Sequence, residues 1–383
     1  MFNKKDFDKL SNYTNDYPLI SIYVPTHRAG EATWNGKDAL VLKNKVLEIK
    51  KKLNSPKYDL NHAKITSLLE PVVELYENSE FWLNQSDGLA IFLSKDFFKY
   101  YHIPKNFNSS FYIGKGFHLT SLVSFIKQKN RFFLLDLNQK HIRLFECMDF
   151  SITEIKVKDV MPINIEEALP EEHHSTTLQF HSTNGNGPIY HGQGGHKSEL
   201  PIDLEKFFRL INKGVEQLLH DEKVPLLLAG VDYLIPIYKS VSTYNFLIED
   251  RHISGNVQDE DLVLLHEKAI LKMQPTFEEN KRNLIKKYNE VSNSNLATDE
   301  LQETVKAAYN GRVDTLFLKE NAHSWGSFDE KKQSIVFSES PDDSSDLLNS
   351  IAIQCITNGG NIYLLEEEDM PCENTDACAI LRY

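Results

Sequence analysis

Along this chain, short apolar runs that end in turn residues alternate with stretches whose apolar residues recur at helical spacing. That alternation restricts the fold to the α/β class. LISIYVP (Leu19–Pro25) reads as a buried strand closed by proline. Leu42, Val46, Ile49 and Leu53 follow at helix periodicity, as do Ile65, Leu68, Leu69, Val72 and Leu75. Strands are expected over 88–93 and 98–103. RFFLLDL, HIRLFEC and SITEIKV, around tight polar turns such as Asn138-Gln139-Lys140, predict a three-stranded meander. Asp203 is expected to cap a helix carrying Leu204, Phe207, Phe208, Ile211, Val215 and Leu218, and VPLLLAGVD to be the next buried strand. Pro275 is expected to separate two helices, over 259–273 and 276–291. Thr298 is expected to cap a helix through Leu301, Val305 and Ala308 that stops at Gly311. RVDTLFL, QSIVFSE, the helical LLNSIAIQCITNGG, NIYLLEE and ACAILRY then read as a small α/β/α sandwich.

A chain of 383 residues exceeds one ordinary core, and a composition 41% hydrophobic and 25% charged is that of a globular protein. No apolar run approaches the roughly 18 residues of a membrane span. The start, MFNKKDFDKL, lacks the apolar core of a secretion signal. Cys147, Cys355, Cys372 and Cys378 show no CxxC pairing and read as reduced thiols, so a cytoplasmic protein without a membrane partner is expected. The formal net charge of -13 opposes generic nucleic-acid binding. No DNA partner is expected, and any RNA contact must be local. Lys43, Lys45, Lys50, Lys51 and Lys52 are one candidate, although a solvated helix face is the favoured reading.

From about Met161 to Leu200 the periodicity vanishes. This stretch carries His173, His174, His181, His191 and His196, with glycines at 185, 187, 192, 194 and 195. A structureless loop of that length is functional or disordered. The order around it is similar to that of the middle and C-terminal domains of eukaryotic release factor one and Pelota: RFFLLDLNQKHIRLFEC as opening meander, YHGQGGHKSE as glycine-rich loop, DLEKFFRLINKGVEQLL as long helix, VPLLLAGVDYL as strand-turn and VKAAYNGRVDTLFL as a later helix-strand pair. SIYVPTHRAG followed by LKNKVLE resembles the distinct first domain of the bacterial members. The chain therefore resembles the bacterial branch of the archaeo-eukaryotic release factors.

That resemblance implies three α/β domains: an N-terminal domain over 1–127, an RNase H-like middle domain over 128–277 with its glycine-rich loop at 185–196, and an L7Ae-like domain over 278–383. It implies a ribosome-associated factor of the release and rescue type, with the ribosome and peptidyl-tRNA as partners and no cofactor. The family's Gly-Gly-Gln tip helps water attack the peptidyl-tRNA ester. Glycines allow close backbone approach, and backbone or amide groups orient water. Here the matching positions are Gly194, Gly195 and His196, with Gln193 before the pair. Three readings stay open: His196 or Gln193 positions water, the loop including Gly192 and Lys197 contacts RNA without catalysis, or it is a glycine-rich linker. The family's Asn-Ile-Lys-Ser decoding motif is absent.

Beside the resemblance, Arg28 after the first strand, with Lys43 and Asn44 on the following helix, is a candidate phosphate contact. The less favoured chemistries are metal binding by His173, His174, His191 and His196 and a two-metal carboxylate nuclease of Asp136, Glu146 and Asp232. No metal is expected, and the alternative to a release factor is a non-catalytic RNA- or protein-binding module on the same fold.

Overall fold

The computed structural model describes residues 2–28, 35–127, 129–170, 196–339 and 345–383, for 196–201 the backbone alone. They form two compact units, one of Met1–Lys127 with Arg282–Tyr383 and one of Gln128–Lys281. Several sheets, each covered by helices, make this an α/β protein.

Helix α1 (Lys4–Ser11) opens the first unit, its N-terminus capped by the Asn3 side chain. Strand β1 (Leu19–Pro25) follows, then α2 (Lys37–Leu53), α3 (His62–Glu77), β2 (Gly88–Ser94), β3 (Phe97–Ile103) and β4 (Ser110–Gly114). The four strands make an antiparallel sheet in the order β3-β2-β1-β4. Strand alternation gives this sheet two unlike faces. Ile20, Ile22 and Val24 pack with the apolar stripes of α2 and α3, while Tyr23 on the other face meets Phe92, Phe107 and Tyr112 edge-on. That aromatic face carries the site described below. Gly88 lets the 105–107 loop close over the end of β2: a Cβ there would sit 2.3 Å from the Lys105 carbonyl oxygen and 2.6 Å from the Phe107 ring. Gly88→Ala is expected to cost about 1–3 kcal/mol, the penalty of overpacking, read as a lowered denaturant midpoint.

The second unit begins with β5 (Phe132–Leu137), β6 (Arg143–Met148) and β7 (Ser151–Ile155), the expected antiparallel meander. Helix α4 (His196–Leu218), β8 (Leu226–Gly230), α5 (Leu234–Val241), β9 (Ile253–Ser254) and α6 (Leu262–Val291) follow. β8 joins β5 in parallel, giving the sheet β7-β6-β5-β8-β9. Phe133, Leu135 and Leu137 pack with Phe207, Phe208 and Ile211 of α4 and Tyr238 of α5. Phe132 and Leu134 pack on the other face with Leu265, Ala269 and Met273 of α6. A sheet buried on both faces explains the continuous apolar runs of β5 and β8.

Two sequence expectations are corrected here. Helix α4 starts at His196, so Asp203 is an interior position and not its cap. The early turn HKSELP has no apolar stripe to reveal it. Pro275 does not end a helix: α6 is continuous through it, as residues 282–291 carry on into the first unit. Proline removes one helical hydrogen bond and costs about 3 kcal/mol. Burial of Met273 before it and of Tyr288 beyond it offsets that loss.

The first unit resumes with β10 (Ala297–Thr298), α7 (Leu301–Tyr309), β11 (Val313–Lys319), β12 (Trp325–Asp329), β13 (Ser334–Phe337), β14 (Ser345–Asp346), α8 (Leu347–Thr357), β15 (Asn361–Leu365) and β16 (Ala377–Leu381). Thr298 is a strand residue paired with Ala379 and not a helix cap. β10-β16-β11-β15 form one sheet and β13-β12-β14 a second. Phe317, Cys378 and Ile380 bury one face of the larger sheet against Tyr288 of α6, and α7 and α8 cover the other. Among the described residues, no helix is long and apolar enough to cross a membrane.

Candidate functional site

Gly192, Gln193, Gly194 and Gly195 lie outside the described residues, as do His173, His174, His181 and His191. His196 and Lys197 open α4, their side chains outside the described residues. Arg28 sits just past β1 with its guanidinium 2.5 Å from Asp87, and Lys43 and Asn44 are exposed on α2. The neighbouring His27 is turned back on Asp38, 2.8 Å from the carboxylate through its ring. The proposed nuclease carboxylates do not converge. Asp136 is 2.8 Å from Arg143, Glu146 is 2.5 Å from Arg131, and Asp232 is an exposed group beside His252.

The described residues do gather one constellation that the sequence did not single out. Asp346 ends β14 and caps α8, its Oδ1 accepting the Leu348 amide at 3.0 Å and the Ser324 amide at 3.2 Å. Those two amides fix the carboxylate plane and leave Oδ2 facing two imidazoles. His323 Nδ1 lies 2.8 Å from it and His118 Nε2 3.1 Å. A carboxylate only accepts, so the protons of both contacts are on the imidazoles. His323 Nε2 is then left to accept from the Tyr112 hydroxyl at 3.3 Å. Tyr112 also lies flat on the His118 ring, with centroids 3.7 Å apart and planes 8° from parallel.

β-Sheet register brings these groups together. Ser21 and Tyr23 of β1 pair with Tyr112 and Ser110 of β4, so all four belong to the aromatic side of the sheet. The segment after β4 is then held from both sides. Ser21 Oγ accepts the His118 amide at 2.9 Å, and Tyr23 donates its hydroxyl to the His118 carbonyl at 2.5 Å. From α8, Asn349 Oδ1 accepts the Leu119 amide at 2.7 Å, while Asn349 Nδ2 donates to the Phe117 carbonyl at 3.1 Å.

Burial pushes the Asp346 carboxyl up, but hydrogen bonds from His118 and His323 outweigh it and hold the pKa at about 2. Burial lowers the pKa of His118 against the opposing pull of Asp346. Burial also raises that of Tyr112. At neutral pH Asp346 is thus an anion facing an uncharged His118, with a protonated Tyr112 at the edge. His118, His323 and Tyr112 line a cleft of about 510 Å³, with Lys105 and Glu320 ion-paired at 2.9 Å on its wall. An oriented imidazole opening on a cleft can relay a proton or take a metal ion.

Residues 132–275 match bacterial archaeo-eukaryotic release factor family 7. The matched stretch is less than half of the chain and falls within the unit of β5 to β9. Among solved structures, the chain is 13% identical to the archaeal translation termination factor aRF1, over 99% of this chain and 96% of that one, with a TM-score of 0.22. It is 11% identical to Archaeoglobus fulgidus Pelota over 77% and 79% of the two chains, with a TM-score of 0.33. To S. cerevisiae Dom34, a translation termination-like factor, it is 16% identical over 66% and 62%, with a TM-score of 0.32. No curated protein matches the chain.

Proposed function

We propose that this chain is a ribosome-associated factor of the translation release and rescue type. The observation that supports it is the match of 132–275 to a release-factor family model across the meander, the loop, the long helix and the following strand. On this reading the middle domain (128–277) is RNase H-like and the last (278–383) L7Ae-like, on a first domain over 1–127. The protein works in the cytoplasm on stalled complexes carrying peptidyl-tRNA. Gly194 and Gly195 shape the tip, Gln193 or His196 orients the attacking water, and Gly192 and Lys197 touch RNA beside it. Arg28, Lys43 and Asn44 supply a local phosphate contact that an overall charge of -13 does not. A phosphate at Arg28 must displace Asp87 from its 2.5 Å contact.

Co-sedimentation with ribosomes from lysate, at low and high salt, tests the partner. Salt-sensitive association with the particles or a subunit is expected, and absence from every ribosomal fraction, stalled ones included, overturns the reading. For ribosome-bound protein, peptide release from stalled complexes tests the tip. Gln193→Ala with His196→Ala is expected to lower release by about 100-fold, the contribution of a positioned general acid-base group. Release unchanged by both substitutions removes the catalytic version.

A further inference from the structure

We propose that His118, His323 and Asp346 form a binding site for one divalent transition-metal ion of the zinc class. The inference stands apart from the ribosomal reading, because none of the three residues lies in the stretch that matches the release-factor family.

The ligand set comes first. Two imidazoles and one carboxylate are the nitrogen and oxygen donors that zinc and its neighbours select, and three protein ligands beside an open position is the pattern of reactive zinc sites. The three ligand atoms lie within 4.8 Å of one another, the only such histidine, cysteine and carboxylate group among the described residues. Their spacing fits. Bonds of about 2.0–2.1 Å to a tetrahedral ion place ligand atoms roughly 3.3 Å apart. The two contacts to Asp346 Oδ2, at 2.8 and 3.1 Å, need to open by only a few tenths of an ångström.

Support around the ligands is the second point. Good metal ligands are oriented by partners behind them. Asp346 has its other oxygen on two backbone amides. His323 has Tyr112 at its far nitrogen and Trp325 stacked on its ring at 5.5 Å. His118 is clamped under the Tyr112 ring, with its own amide and carbonyl tied to Ser21 and Tyr23. With an ion in place each imidazole would carry its proton on the nitrogen away from it: His323 on Nε2, donating to Tyr112 Oη, and His118 on Nδ1, which is buried without a hydrogen-bond partner among the described residues.

Charge is the third. The Asp346 side chain is 3% exposed, and among the described residues no lysine or arginine is paired with it. A divalent ion gives this buried anion a full counter-charge. The cleft supplies the approach and the open position.

The test uses the full chain, stripped with a chelator and titrated with Zn2+ and Co2+. One ion per chain is expected, the cobalt form showing the visible absorption of a four-coordinate site without a sulfur charge-transfer band. His323→Ala, at a partly exposed position that leaves the core intact, is expected to weaken binding by more than about 100-fold with an unchanged far-ultraviolet spectrum. Tyr112→Phe removes only a supporting hydrogen bond and is expected to weaken it by about 10-fold. A chain with His173, His174, His181, His191 and His196 all changed to alanine is expected to bind as the parent does. No stoichiometric binding, binding kept by His323→Ala, a thiolate band, or loss in the five-alanine chain would each overturn the proposal. In the first case the trio is only a hydrogen-bonded clamp.

Discussion

Arg143→Met is expected to destabilise the unit of β5 to β9 by about 3–5 kcal/mol, the range for stranding one partner of a buried ion pair. Asp136 is 1% exposed, directly opposite Arg143 in the β5–β6 register, and faces the α6 side of the sheet. Arg143 donates to it from both Nε and Nη2, at 3.0 and 2.8 Å, and spends a further bond on the Val257 carbonyl at 2.9 Å. Its guanidinium also lies over the Phe145 ring. Burial pushes the Asp136 carboxyl above its usual range although Arg143 pulls the other way, so desolvation wins even with the partner present. Without Arg143 the carboxylate must protonate or admit water. Hydrogen exchange resolved over β5 and β8 is the measurement, and protection there is expected to fall sharply. The double change Asp136→Leu with Arg143→Met is expected to recover most of the loss, since an apolar pair of similar volume escapes the desolvation penalty. Protection unchanged in Arg143→Met would show that the pair is solvated and contributes little.

The second large effect is expected at Asp346→Ala, about 3–5 kcal/mol, combining a lost helix cap with two stranded amides and two stranded imidazoles. Chelated protein is the proper material, so that any loss reflects the fold alone. Tryptophan emission reads this unit directly, because Trp34, Trp82 and Trp325 all fall within its residues and Trp325 stacks on His323. Asp346→Asn keeps an acceptor for the Leu348 amide and is expected to lose less. Equal denaturant midpoints for alanine and parent would refute the role of Asp346 as the hub of these contacts.

The sequence revealed elements wherever one physical signal dominated. β1, β2, β5 and β8 are short apolar runs because their sheets are covered by helices, and Leu42 to Leu53 and Ile65 to Leu75 mark helix faces because each packs on one side only. Weakly patterned elements escaped. β4 is half-buried throughout, and its Tyr112 and Phe111 serve opposite faces of the sheet, so no alternation of apolar and polar residues marks it. β12 and β14 belong to a small, half-exposed sheet. Pro275 and Thr298 misled for a shared reason: a local preference of a few kcal/mol or less yields to tertiary packing on either side. The site was less legible than the fold. Asp346 before an apolar helical run is a readable cap, but His118 and Asp346 are 228 residues apart, and only the register of β4 on β1 and the start of α8 bring them together.

The division of the chain also fixes an order of events during its synthesis. One unit is discontinuous, formed by Met1–Lys127 and Arg282–Tyr383 with the other unit's residues between them. The β1–β4 sheet is therefore made early but stays unfinished while 154 further residues, Gln128–Lys281, are translated and free to fold on their own local contacts. Until Asp346 and Asn349 emerge, the 117–120 segment lacks half of its hydrogen-bond partners and the aromatic face around Tyr23 and Tyr112 lacks its cover. Long-range closure of this kind is expected to make this unit the slower of the two to fold.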